Sequence, residues 1–179
     1  AVKNGKCVDT SMGLTPLEGL IMGTRSGDLD PAIVEFICNK ENKDVHEVLN
    51  ILNKESGIYG LSEDYSSDFR DLEEGYVEDK ENCIRAVDAF CYRVGAYAAA
   101  MNGVDAICFT AGVGESSGFV RSLICKYFGY LGVALNEEEN EKRGEALIVS
   151  TKDSRTKVLV IPTNEELAIA RETAALVRK

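Results

Sequence analysis

Apolar residues recur along this chain at two different spacings, and each spacing predicts a different element. Between residues 82 and 101 they fall at Cys83, Val87, Phe90, Val94, Tyr97 and Met101, the period of one face of an α-helix. A long helix is predicted there, with Gly95 and the run Ala98-Ala99-Ala100 marking close approach to a neighbour. Asp30-Pro31 opens another helix, whose apolar face is Ile33, Val34, Phe36 and Ile37. Residues 44–53 predict a third, capped by Asp44 with Glu47 three residues on. Thr15-Pro16-Leu17-Glu18 predicts one more start: Thr15 caps, Pro16 suits the first turn and Glu18 completes a capping box.

Elsewhere the runs are short. Asn4-Gly5, between Ala1-Val2 and Lys6-Cys7-Val8, predicts a tight hairpin, because both turn residues need positive φ. Ala106-Ile107-Cys108-Phe109-Thr110 has strand length; the loop Ala111-Gly112-Val113-Gly114-Glu115-Ser116 follows, then a helix through Val120, Leu123, Ile124 and Tyr127. A second such unit has a strand at 158–161, the turn Pro162-Thr163-Asn164 and a helix at 165–177. Strands alternating with helices give the α/β class. Residues 56–76, rich in Gly, Ser and Asp, read as loop with short turns.

Composition narrows the function classes. The 179 residues suit one domain and are marginal for two. A net charge of −10 argues against nucleic acid or an anionic membrane as the main partner. It leaves room for an anionic substrate, since a few local arginines can dominate a cleft. Cys7, Cys38, Cys83, Cys91, Cys108 and Cys125 form no CxxC pair and read as reduced core residues. A single histidine, His46, excludes a histidine-rich metal site, and its polar surroundings read as a solvent-facing helix. No signal peptide or membrane-spanning run is evident, which reads as cytoplasmic. Ala1-Val2 enters the hairpin directly without an initiator Met, which reads as a piece of a longer chain.

Four stretches could carry chemistry, and each has a purely structural alternative. Arg25 stands in Gly23-Thr24-Arg25-Ser26-Gly27, where a guanidinium fork matches phosphate oxygens; it could equally pair with Asp28 or Asp30 at the surface. Gly112 and Gly114, between a strand end and a helix start, would let backbone amides approach a nucleotide's phosphate or sugar. The stretch is neither a Walker A motif nor a full dinucleotide fingerprint, and a tight strand-to-helix turn explains it as well. Asp68-Phe69-Arg70 could grip a nucleoside through ribose hydroxyls and base, or form a loop cap with an internal salt bridge. Glu165, beside Asn164 and Glu166, could position Mg²⁺ at a strand end or simply complement the helix dipole.

Taken together, these segments resemble the acetate kinase family in order and spacing. The matching motifs are Thr10-Ser11-Met12-Gly13 with Thr15-Pro16-Leu17-Glu18-Gly19-Leu20, Met22-Gly23-Thr24-Arg25-Ser26-Gly27, Phe109-Thr110-Ala111-Gly112-Val113-Gly114-Glu115, and Ile161-Pro162-Thr163-Asn164-Glu165-Glu166-Leu167. The resemblance runs the length of the chain and implies most of the second, nucleotide-binding domain of a two-domain kinase. The implied fold is the ribonuclease H-like α/β domain of the actin, Hsp70 and sugar kinase superfamily, a mixed sheet flanked by helices. The implied reaction is reversible, ATP-dependent phosphorylation of acetate to acetyl phosphate by direct in-line transfer, with Mg²⁺ (or Mn²⁺). Arg25 then matches the arginine that stabilises the phosphoryl group in flight, and Glu165 the glutamate associated with the metal. Asp68, Phe69 and Arg70 match the adenosine-holding segment, and Gly112, Val113, Gly114, Glu115 and Ser116 the nucleotide loop. Val120 and Arg121 follow near the adenine, and Pro16 lines the pocket for the acetate methyl.

The resemblance also implies a homodimer, with the Ala-rich stretch near residues 95–101 in its surface. Ser116 stands where the family usually has Asn, and the family's first half, with its own phosphate turn and acetate-site residues, lies outside these residues. The chain alone is therefore expected to lack kinase activity. Two rival readings remain: a propionate or butyrate kinase of the same family, and a non-catalytic nucleotide-binding module of the actin or Hsp70 type.

Overall fold

A computed structural model describes residues 1–178 and divides into two compact units. The first comprises Ala1–Gly103 with Lys126–Phe128, the second Val104–Cys125 with the residues from Gly129 onward.

In the first unit, strands β1 (Val2–Lys3) and β2 (Lys6–Cys7) pair antiparallel across Asn4 and Gly5 at φ 52° and 73°. This is the predicted hairpin. The helix expected at Thr15-Pro16-Leu17-Glu18 is absent: these residues form a turn in which Thr15 Oγ1 accepts Leu17 N at 3.3 Å. Gly19 stops any helix there, at φ 101° and with its backbone against Ser11. Helix α1 (Ala32–Glu41) follows, its first amide at Ala32 held by Asp30 Oδ1 at 3.0 Å. Helix α2 (Val45–Lys54) has the predicted capping box: Asp44 Oδ1 accepts His46 N and Glu47 N, and Glu47 Oε2 accepts Asp44 N. His46 is exposed on it, as expected.

Residues 56–76 are only partly loop. They contain helix α3 (Gly57–Leu61) and most of helix α4 (Phe69–Val77). Burial supports both, since Ile58 and Leu72 are wholly buried, and α4 has in addition a side-chain cap at Asp68. They pack on the predicted long helix, α5 (Glu81–Ala99). The core of this unit is Val48, Leu52, Ile58, Leu72, Cys83, Ala86, Val87, Phe90, Cys91 and Phe128. The close approach expected at Gly95 is made by Tyr127, whose Cβ would lie 2.8 Å from a Cβ added there. Ala99 and Ala100 are exposed.

In the second unit the order is β3 (Ala106–Phe109), α6 (Ala111–Ser116), α7 (Gly118–Cys125), α8 (Glu137–Asn140), β4 (Leu147–Ile148), β5 (Lys157–Val160) and α9 (Glu165–Val177). The sheet order is β3-β5-β4, with β5 parallel to β3 and antiparallel to β4. A mixed sheet with flanking helices is the predicted class. Here the loop expected at 111–116 is a short helical turn. Phe109, Val120, Leu123, Ile124, Leu131, Val149, Val158 and Val160 form the core.

All six cysteines are free, but only three of them belong to the core. Cys83, Cys91 and Cys125 are buried, and burial pushes the Cys91 and Cys125 thiols up to about 12. Cys7 and Cys108 are exposed and Cys38 is half-buried, contrary to expectation: the first two lie on short edge strands, and α1, which carries Cys38, buries no residue. Among the described residues no helix is long and apolar enough to cross a membrane.

Candidate functional site

Arg25 sits on a loop whose base is closed by Gly19 and Asp28. Asp28 N donates to Gly19 O at 2.9 Å, and Gly19 N donates to Asp28 Oδ1 at 2.8 Å. Asp28 Oδ2 accepts from Arg93 Nη2 at 2.6 Å and from the Tyr97 hydroxyl. The Tyr97 hydrogen bond, above all, holds the Asp28 carboxyl below its ordinary value. Asp28 is thus committed elsewhere, and Asp30 Oδ1 is spent on the amide of Ala32. Neither pairs with Arg25. Among the described residues the half-buried guanidinium has one hydrogen-bond partner, the soft acceptor Met22 Sδ, 3.5 Å from Nη1, and no carboxylate within ion-pair distance. A cation held this way keeps most of its five donors available to an anion.

Pro16 is exposed on the turn before this loop, with Met12 and Leu14 exposed beside it in sequence. A nearby concavity of about 600 Å³ is lined by Thr10, Ser11, Glu18, Leu20, Asp28 and Tyr97 among others, and not by Pro16.

Asp68, Phe69 and Arg70 begin a helix, so their geometry is that of a cap. Asp68 Oδ1 accepts Arg70 N at 2.9 Å and Arg70 Nε at 3.1 Å; Oδ2 accepts Arg70 Nη2 at 2.5 Å. The Arg70 side chain holds the Asp68 carboxyl down to about 2. Phe69 stacks edge-on against Phe90, ring centroids 4.7 Å apart. The salt-bridged cap, the structural alternative of the sequence reading, is the arrangement found. The ion pair is exposed and contributes little to stability.

In the second unit the parallel strands β3 and β5 end side by side, and each delivers a turn that opens a helix. Ala111, the first residue of α6, lies at φ 55°, a left-handed conformation that costs a non-glycine residue about 1 kcal/mol. Glu115 ties the two turns together: its Oε1 accepts Ala111 N at 2.6 Å, Thr163 N at 2.8 Å and Thr163 Oγ1 at 3.0 Å. The Thr163 amide is the main cause that lowers its carboxyl below 4.5. A depressed folded-state value means that the contribution is fully present above the unfolded value and is lost as pH falls through the folded one. Glu115→Gln is therefore expected to flatten the acid limb of the thermal-stability profile below pH 4.5, read by melting at stepped pH; an unchanged limb would contradict the bridge.

Val120 and Arg121, expected near the adenine, have their side chains directed into the core of the second unit. Val120 is 1% exposed and Arg121 is fully buried. Arg121 Nε donates to Asn140 Oδ1 at 2.9 Å, Nη1 to the carbonyls of Gly114 and Glu115 at 2.9 and 3.0 Å, and Nη2 to the Asn140 carbonyl. The side chain thus satisfies carbonyls at the end of α6 that the helix itself leaves without partners.

Gly112 is different. It is exposed, its φ is not in the left-handed range, and a Cβ added there would meet nothing within 4 Å. Neither backbone nor packing requires glycine at this position. Gly114 would meet only ordinary contacts, the nearest at 3.5 Å to Phe109. Val113 is half-buried, and Ser116 Oγ, exposed, donates to Gly112 O at 2.8 Å. Glu165 is exposed at the first position of α9, which Asn164 caps by accepting Leu167 N at 2.9 Å. Among the described residues no three acidic, histidine or cysteine side chains converge on a metal site. One exposed carboxylate at a strand end suits Mg²⁺ carried mainly by substrate phosphates and water, not a closed protein cage.

The amino-acid pattern does not mark the Glu115–Thr163 bridge, the Arg121–Asn140 clamp or the absence, among the described residues, of an acidic partner for Arg25. The first two join residues 48 and 19 positions apart, and no local pattern marks them.

A model of the acetokinase family matches residues 1–171. The acetate kinase of Agathobacter rectalis is 64% identical over 182 residues, covering 99% of this chain and 46% of that protein. The acetate kinase of Thermotoga maritima is 60% identical over 185 residues, covering 100% and 46%. Among solved structures, Porphyromonas gingivalis acetate kinase superposes with a TM-score of 0.89 at 39% identity, covering 98% of this chain and 45% of that one. A propionate kinase from Francisella tularensis also superposes at 0.89, with 38% identity and 96% and 44% coverage. The chain therefore spans a little under half the length of the relatives it matches.

Proposed function

The chain belongs to the acetokinase family, and we propose that it is the nucleotide-binding domain of a two-domain kinase that phosphorylates acetate with ATP. In the forward direction a carboxylate oxygen of acetate attacks the γ-phosphorus in line. The bond to the β-phosphate oxygen breaks, and acetyl phosphate and ADP leave; the reverse step regenerates ATP. Most of the catalytic work in such a transfer is positioning and charge compensation. Arg25 supplies the compensating cation, and the short helical turn Gly112 to Ser116 faces the nucleotide. Asp68, Phe69 and Arg70 hold the adenosine, and Pro16 meets the acetate methyl. Glu165 would hold Mg²⁺, which offsets phosphate charge when bound with the nucleotide. Val120 and Arg121 support the turn from beneath. We assign a cytoplasmic homodimer on the same family grounds; Gly95 is occupied by Tyr127, so on α5 only exposed residues such as Ala99 and Ala100 remain for a partner copy.

The observation that supports this most is Gly112: a glycine that the fold does not need, at the mouth of two adjacent strand-end turns, one of which carries Glu165. Gly112→Ala in a full-length protein carrying this chain is expected to raise the melting temperature slightly, since Ala exceeds Gly in helix propensity by up to about 1 kcal/mol. It is expected to weaken Mg·ATP roughly tenfold or more, because a methyl displaces charge-assisted amide contacts. Calorimetric titration reads the affinity, and an unchanged Kd would count against a nucleotide at this turn.

A propionate kinase is the second reading, favoured by the equally close superposition on the Francisella protein. One added methylene changes discrimination by only about 1–3 kcal/mol, so neighbouring acids are expected to compete.

A further inference from the structure

Arg25 is a long side chain on a loop, yet its backbone is immobilised from both directions. The last turn of α2 and the first turn of α3 each leave backbone groups without helical partners. The Arg25 loop takes them up. Ser26 N donates to Leu52 O at 2.9 Å and Thr24 Oγ1 to Asn53 O at 3.0 Å, at the end of α2. Ser56 N, Ile58 N and Tyr59 N donate to the carbonyls of Thr24, Met22 and Gly23, each at 3.0 Å, at the start of α3. The loop closes on itself through Met22 N to Arg25 O at 3.1 Å.

Gly57 lies at the centre of this junction. It adopts φ 65°, and a Cβ added there would fall 2.3 Å from Met22 O, 2.7 Å from Arg25 O and 3.0 Å from Arg25 N. All three are backbone atoms of the Arg25 turn, so none can swing away as a side chain would. Gly57 is therefore required both by its own conformation and by the close approach of the turn. Gly112 meets neither requirement, which separates a glycine that positions from a glycine that admits a ligand.

We propose that Gly57 is a positioning residue for Arg25, and that the α2–α3 junction sets where the guanidinium stands. The inference rests on the reading of Arg25 as the group that stabilises the transferring phosphoryl. Gly57 touches no substrate; it acts only through the Arg25 backbone. A displacement on the scale of 1 Å at such a group lowers turnover by about a hundredfold.

The test is a double-mutant cycle in a full-length protein carrying this chain. Gly57→Ala and, separately, Thr24→Val are each made with Arg25 present and with Arg25→Ala. Thr24→Val keeps the side-chain shape and removes only the bond to Asn53, so it serves if Gly57→Ala does not fold. With Arg25 present, kcat is expected to fall about a hundredfold for Gly57→Ala and a few-fold for Thr24→Val, while KM for nucleotide stays unchanged. With Arg25→Ala, neither change is expected to lower kcat further. Equal losses in both backgrounds would show a general structural role and overturn the inference. If Arg25→Ala alone leaves kcat intact, the reading of Arg25 falls, and this inference falls with it.

Discussion

Arg25→Ala in a full-length kinase carrying this chain is expected to lower kcat by roughly 10³-fold or more, with little change in ATP affinity or melting temperature. The rate effect follows from the chemistry. Phosphoryl transfer asks the protein for charge compensation at the moving group, and an arginine aimed there is worth about 10³–10⁵. The geometry supports the assignment because among the described residues no acid pairs with the guanidinium: its one hydrogen bond there is to the Met22 sulfur, while the nearest acids in sequence, Asp28 and Asp30, are committed to Arg93, Tyr97 and the Ala32 amide. No ion pair has to break before the side chain meets phosphate. The same isolation predicts a small stability cost, within about 1 kcal/mol. Arg25→Lys keeps the charge but loses the planar fork and is expected to recover only part of the rate. Steady-state kinetics with a parallel thermal melt separate the outcomes: a variant that loses stability and turnover together would mark Arg25 as a structural residue instead.

Arg121→Ala is expected to cost about 4 kcal/mol of stability, and the loss should appear without nucleotide. The side chain is fully buried and donates to the carbonyls of Gly114, Glu115 and Asn140 and to Asn140 Oδ1. Truncation leaves these acceptors buried with fewer donors, at about 1–3 kcal/mol for each that cannot be satisfied otherwise, and opens a cavity. A drop in Tm on the order of 10 °C corresponds. Asn140 cannot compensate, because its own amide already donates to Gly118 O at 2.8 Å and Ser122 Oγ at 2.9 Å. Arg121→Lys restores charge but not the fork that reaches several carbonyls at once, so it should recover little. Differential scanning calorimetry of the nucleotide-free protein decides the matter. A normal melt combined with weakened ATP binding would return Arg121 to the nucleotide site.

The elements readable from sequence were those whose cause is local. Asn4-Gly5 demanded positive φ and made the hairpin. The Asp44–Glu47 capping box started α2 where expected, and the period of Cys83, Val87 and Phe90 marked α5. The apolar runs at β3 and β5 and the start of α9 at Glu165 were legible for the same reason: each depends on groups a few residues apart. Membership of the family was also legible, since the motifs around Arg25, Gly112 and Glu165 keep their order and spacing.

What only the tertiary structure decided involves groups far apart in the chain. The capping signal at Thr15-Pro16 failed because Gly19, at φ 101°, is packed against Ser11. The polar stretch 56–76 became α3 and α4 because Ile58 and Leu72 find full burial in the packed unit, which composition cannot foretell. Arg121 turned inward to carbonyls on α6 and α8, and Glu115 reached across to Thr163. Asp28 pairs with Arg93 and Tyr97 rather than with Arg25, which has no acidic partner among the described residues. A single sequence shows which charges and donors exist. Which of them are consumed by the fold, and which are left for a ligand, is settled only when distant segments are brought within hydrogen-bonding distance.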